Sequence, residues 1–323
     1  MSATIAQTLG EFAVTQTHDR LPDAVRHSVC QRTLDTLGIM VAATPLDTSR
    51  AIRDYATELG GRPQAHAVGV REALPAELAA LVNGTLAHSL DYDDTHLPSV
   101  LHPSASIVPA ALAVAEATGA DGRSLTAAIA VGLEICVRLG MAGYDREARN
   151  NSYFDRGQHA TSICGTIGAA ASAAVLLGLD AAGVTNAIGL AVSMAGGVIE
   201  GNRTGGTVKR IHCGWAAHAA VSAARLAAHG ITGPPTVLEG RFGFFQAFLG
   251  GHYDAAAIDA ELGEHWEVPQ IFFKPYPANH FTHAGIDAAL ALRAEGVSPD
   301  DIDSLELGVA EPTVRTIGEP IEV

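Results

Sequence analysis

Lysine is nearly missing from this chain. Only Lys209 and Lys274 occur in 323 residues, and every other basic residue is an arginine. Aromatic residues make up 5%, sparse for the ring-lined cage that a carbocation intermediate needs. Four cysteines, Cys30, Cys136, Cys164 and Cys213, form no CxxC pair. That gives no support for a zinc ribbon or a cysteine-held iron–sulfur cluster and fits reduced thiols in a cytoplasmic protein. Positive charge is short as well: the net charge of −15 argues against nucleic acid or an anionic membrane as partner. The N-terminus, "MSATIAQTLGEFAV", lacks the basic and apolar blocks of a secretory signal. Residues 160–179 carry no charge, but Ala, Gly, Ser and Thr dominate them. They predict one arm of a buried helical hairpin, not a membrane span.

What is present is helical text. "DAVRHSVCQRTLDTLGIMVAA", "PAELAALVNGTLAHSLDY", "SLTAAIAVGLEICVRLGMA" and "IHCGWAAHAAVSAARLAAHG" repeat apolar residues at three and four. The pattern holds from residue 1 to about 265. After it, "VPQIFFKPY" and "IDSLELGVA" read as strands flanking the helix "HFTHAGIDAALALRAEG". The fold class expected is mainly α: a large all-helical domain over 1–265, then a smaller α+β lid begun at 266–323 and left incomplete.

Several residues carry chemistry. "HSLDYDDTHLPSVLHPSAS" gathers Asp91, Asp93, Asp94, Thr95, His96 and His102 at a helix end and the following loop. A solvated acidic turn, with Ser104 or Ser106 capping the next helix, is the plain reading. Carboxylates beside imidazoles are also common acid/base equipment. His159 opens the small-residue helix, where a helix N-terminus lowers imidazole basicity and favours anions. Cys164 reads as core packing. Lysine, unlike arginine, can be tuned by burial. Lys209 follows a Gly-Gly-Thr turn at a helix start, and Lys274 lies at the seam between the two regions. His280 and His283, without a third ligand at a recognised spacing, read as helix-start or supporting residues.

The passages "AHSLDYDDTH", "RGQHATSICGTIGAAA", "GGTVKRIHCGWAAHAA", "GPPTVLEGRFGFFQAF" and "FKPYPANHFTH" resemble the MmgE/PrpD family. That family includes 2-methylcitrate dehydratase, cis-aconitate decarboxylase and iminodisuccinate epimerase. The resemblance implies a large helical domain with a lid, a homodimer, no cofactor and no metal. It implies site residues Asp91, Thr95, His102, His159, Lys209 and Lys274, with both lysines in the substrate cleft. The expected activity is that of a hydro-lyase on a small di- or tricarboxylate, similar to 2-methylcitrate dehydratase, through a carbanion next to a carboxylate. Decarboxylation or epimerisation in the same family is the alternative. His102 and His159 would be base and acid in an order left open. From other classes come a Mg²⁺-dependent helical diphosphate lyase using Asp91, Asp93 and Asp94, although Leu97 breaks its DDxxD spacing, and an inactive helical scaffold.

Overall fold

The computed structural model describes residues 3–147 and 150–318, and these are mainly helical. The helices are α1 (Ile5–Thr15), α2 (Asp23–Ala42), α3 (Asp47–Leu59), α4 (Ala76–His88), α5 (Ser104–Thr118), α6 (Gly122–Ala142) and the short α7 (Ser152–Asp155). Then come α8 (Ala160–Leu176), α9 (Ala181–Met194), the short α10 (Gly201–Thr204), α11 (Val208–Ala228), α12 (Phe244–Leu249), α13 (Ala256–Asp259) and α14 (His283–Ala294). The four helical stretches of the sequence appear as α2, α4, α6 and α11. Side-chain caps set several starts: Thr4 and Gln7 form a capping box on α1, and Asp121 and Asp180 accept from the first turns of α6 and α9.

At the centre, α11 packs on α4 and α8, and α8 on α6. Small residues permit this. A Cβ on Gly84 of α4 would stand 2.7 Å from the Gly214 Cα of α11, and one on Gly214 would stand 2.3 Å from the Leu81 carbonyl. The two backbones therefore touch, and either Gly→Ala would push them apart. The chargeless stretch forms the expected hairpin, with α8 and α9 joined through Gly178 at φ +74°. Cys164 is fully buried in it. Among the described residues, α6 is the one helix long and apolar enough to cross a membrane, and most of it is buried in this core.

Two buried ion networks tie the chain after α13 to the body. Arg138 holds Glu134 at 2.7 Å and donates to the carbonyls of Ile258, Ala260 and His265, while Glu134 accepts from the amides of Glu267 and Val268. Arg32 pairs with Asp94 at 2.7 Å and also donates to the Ile271 carbonyl. Beside it, Thr95 and Phe272 exchange backbone hydrogen bonds of 2.9 and 2.8 Å. This single bridge is what remains of the first expected strand, since Val268–Gln270 is a 3₁₀ turn. Residues 302–310, the second, have no regular structure. A strand exists through its ladder, and neither segment has a partner strand among the described residues. The one two-stranded ladder described is β1 (Tyr144–Asp145) with β2 (Asn150–Asn151). The helix expected between the two segments forms as α14.

Candidate active site

The loop between α4 and α5 takes its acidic run apart. Asp94 turns inward to Arg32 and to Ser104, accepting from the Ser104 amide at 3.2 Å and hydroxyl at 2.5 Å. It thereby satisfies the start of α5, a task the sequence assigned to Ser104 or Ser106. Asp93 is buried against His88, Oδ2 to Nδ1 2.6 Å. Burial opposes both charges, yet each partner outweighs it, holding His88 protonated and Asp93 ionised. Asp91 alone reaches the lysines. It adopts φ +52°, a left-handed conformation that costs a non-glycine residue about 1–3 kcal/mol. Lys274 holds it there, donating to its carbonyl at 2.8 Å and its Oδ1 at 2.9 Å. Lys209 stands 3.7 Å from Oδ2. Burial would raise the Asp91 pKa, but the two ammonium groups override it and push it below the usual carboxylate range. Three aspartates facing three ways do not offer the shared Mg²⁺ face of a diphosphate lyase.

His102 is fixed by its neighbours. Its Nδ1 lies 2.8 Å from the Asp94 carbonyl and 3.1 Å from Thr95 Oγ1. A carbonyl can only accept, so Nδ1 carries the proton and Nε2 presents a lone pair. Burial, then the nearby Lys274, pushes its pKa down to about 3, so the ring is neutral. The His102 amide donates to Thr161 Oγ1 of α8 at 3.2 Å, locking loop to helix. His159 precedes α8, its amide bonded to the Gly197 carbonyl at 3.0 Å. Its Nδ1 is 3.0 Å from Nδ1 of His212 on α11. Burial, with His88, His212, Lys209 and His102 around it, keeps His159 well below its ordinary pKa.

These groups border a cavity of about 520 Å³, within the range of small-molecule sites. Of the six expected residues, His102, His159 and Lys209 line it. Asp91, Thr95 and Lys274 form the layer behind, each bonded to another of the set: Lys274 to Asp91, Asp91 to Lys209, Thr95 to His102. Lys274 was expected in the cleft, but its side chain is fully buried and committed to Asp91. His280, expected as a supporting residue, instead stands on the cavity wall. Its Nδ1 is buried without a partner among the described residues, and burial, then Lys274, lowers its pKa to about 4. His88 and His212 were overlooked. The i, i+3 spacing of Lys209 and His212 on one helix was the available signal. His88, Asp93 and Cys213 also place one potential metal-ligand atom each within 4.8 Å of one another. With Nδ1 of His88 already held by Asp93, an ion there would compete with a buried ion pair.

A family model, the MmgE/PrpD N-terminal domain, matches residues 7–256. The chain belongs to the MmgE/PrpD family. It is 30% identical to the cis-aconitate decarboxylase of Mus musculus over 318 residues, which covers 94% of this chain and 62% of that protein. For the Homo sapiens cis-aconitate decarboxylase the identity is 31%, covering 94% and 63%. The Aspergillus terreus protein of that name is 28% identical over 232 residues, covering 68% and 46%. The chain thus spans less than two thirds of the length of these relatives.

Proposed function

We propose that this chain forms the reactive core of a lyase that acts, without a cofactor, on a small di- or tricarboxylate through a carbanion α to a carboxylate. The observation that carries this reading is the pairing of a neutral His102, whose Nε2 lone pair is open on the cavity, with the Lys209 ammonium on the same cavity. A base and a cation are what a carbanion beside a carboxylate requires. Lys209 would bind the carboxylate where charge gathers, with the head of α8 adding its amide dipoles. Asp91 would keep the ammonium aimed. Thr95 would act through His102, and Lys274 through Asp91.

The intermediate has several fates. Loss of CO₂ leaves the bonding pair on carbon, which then takes a proton. Removal of an α-proton by His102 followed by departure of β-hydroxide is dehydration, and return of the proton to the other face is epimerisation. The similarity to cis-aconitate decarboxylases favours decarboxylation over the methylcitrate dehydration expected from the sequence. The proposal carries with it a homodimer in the cytoplasm, and a lid that begins near residue 266 and closes over the cavity.

Incubation of the purified protein with cis-aconitate, 2-methylcitrate and related acids in D₂O, followed by ¹H NMR, tests it. Cis-aconitate should lose CO₂ and the product should carry deuterium at the reacting carbon. If no carboxylate is turned over or exchanges a proton, the reading is wrong.

A further inference from the structure

His159 and His212 approach through like atoms. Their Nδ1 nitrogens are 3.0 Å apart and their ring centroids 4.9 Å. Two such nitrogens form a hydrogen bond only when one bears a proton and the other a lone pair. The rings must therefore be opposite tautomers. Neither is a cation: burial is the leading cause in both, and it holds His212 to about 4 and His159 lower than its ordinary value. The charged and titratable groups facing His159 are His88 from α4, His102 from the loop, and Lys209 and His212 from α11. With His88 protonated and Lys209 close by, a further positive charge on either ring is disfavoured.

The direction of the shared bond follows from what the cavity holds. His159 sits at the head of α8 with Lys209 on the same cavity wall, a setting that selects an anion. With Nδ1 of His159 turned to His212, Nε2 is the nitrogen left for the ligand, and no described residue hydrogen-bonds to it. A lone pair there would face a carboxylate with like charge, whereas an N–H would donate to it.

We propose that His212 is a positioning residue that donates its Nδ1 proton to His159 and so fixes His159 as a neutral imidazole carrying its proton on Nε2, a hydrogen-bond donor to the substrate carboxylate. This rests on the carboxylate reading given above. It divides the labour between two neutral histidines: His102 offers a lone pair, set by the Asp94 carbonyl, and His159 offers an N–H, set by His212. A neutral imidazole at a helix start is suited to polarising an oxygen without giving up its proton.

Tautomers can be read without turnover. Protein labelled with ¹⁵N-histidine, examined by long-range ¹H–¹⁵N correlation near neutral pH, should show His159 protonated on Nε2 and His212 on Nδ1. His212→Asn keeps an N–H donor and should leave the His159 pattern in place. His212→Asp can only accept and should move the His159 proton to Nδ1. His212→Ala should lower kcat about 10- to 100-fold, and His212→Asn should recover most of that loss. Wild-type protein with His159 protonated on Nδ1, or an unchanged His159 pattern in a folded His212→Asp variant, would overturn the proposal. If His212→Asp fails to fold, the wild-type and His212→Asn spectra decide it. Correct tautomers in a protein that binds no carboxylate would defeat the functional reading and leave the tautomer assignment standing.

Discussion

The chain up to Lys274 and the described chain after it differ in how they are packed. In the first region, α8 buries nearly every side chain and α5 and α6 bury most of theirs, and even charged residues such as Arg32, Glu134 and Asp94 lie inside. No described residue after Lys274 is buried, and Ile302, Leu305, Leu307 and Val309 are exposed. The site straddles this difference. His102, His159 and Lys209 stand on the packed side, while Asn279, His280 and Phe281 add part of the wall from the thinly packed side. A preorganised charge layer thus faces a wall with little beneath it to hold it still. Such a division would suit the proposed lid, a part that moves over a rigid catalytic floor.

Lys274 is the joint between the regions, and its loss should have the largest effect on activity. Lys274→Met keeps the buried stem but leaves the Asp91 carbonyl and carboxylate without their principal donor. Destabilisation of about 1–3 kcal/mol is expected from the unpaired groups. Activity should fall by about 10²–10³, because Asp91 would no longer orient Lys209. Urea unfolding and kcat/KM together check it. Activity within about tenfold of wild type would place Lys274 outside the machinery.

Lys209→Arg keeps the charge on the cavity wall and should separate function from folding. Its ion pair with Asp91 is partly exposed, so stability should change by less than about 1 kcal/mol. The broader guanidinium cannot take the place of a compact ammonium, and kcat should fall at least about tenfold. A kcat within about threefold would remove Lys209 from the proposed role.

Acid sensitivity should come from the site itself. His102, His212 and His280 are held near 3, 4 and 4 by burial, with nearby positive charges adding to it. The unfolded chain takes up these protons near pH 6.5 and the folded chain does not, so stability falls as pH drops from about 6.5 toward 4. The His88–Asp93 pair acts elsewhere. The contribution of His88 is complete below about 6.5 and is lost only as pH rises through its raised value. His102→Asn keeps a donor to the Asp94 carbonyl and should flatten the acid limb by up to about 1.4 kcal/mol per pH unit, one proton's share. Urea midpoints between pH 4 and 7 read this, and an unchanged limb would show that His102 is not held neutral.

The helices were legible because spacing at three and four is local information, as in α6 and in the α8–α9 hairpin. The expected strands at 268–276 and 302–310 did not form because a strand is defined by a neighbour that its own residues do not encode. The site was half legible. Asp91, Thr95, His102, His159, Lys209 and Lys274 do meet, but which of them touch the cavity depended on partners far along the chain. Asp94 is claimed by Arg32, 62 residues away. Asp91 is claimed by Lys274, 183 residues away. His212 stayed hidden because its helix reads as a run of small core residues, and its partner lies on another helix.

The smallest effect should come from the thinly packed region. Leu305 is 72% exposed, whereas Leu133 of α6 is fully buried. Truncating a leucine should therefore have very different consequences at the two places. Leu133→Ala leaves a cavity in a close-packed core and should cost about 2–5 kcal/mol. Leu305→Ser removes a side chain that is mostly in water, and should shift stability by no more than about 0.5 kcal/mol. Its effect on kcat should be just as small, since Leu305 lines neither the cavity nor the charge layer behind it. Paired melting curves and initial rates for the two variants make the comparison direct. A loss of 2 kcal/mol or more at Leu305 would show that this face is covered in the working protein. The far wall of the site would then be anchored as firmly as the floor, and the picture of a rigid body facing a mobile segment would have to be given up.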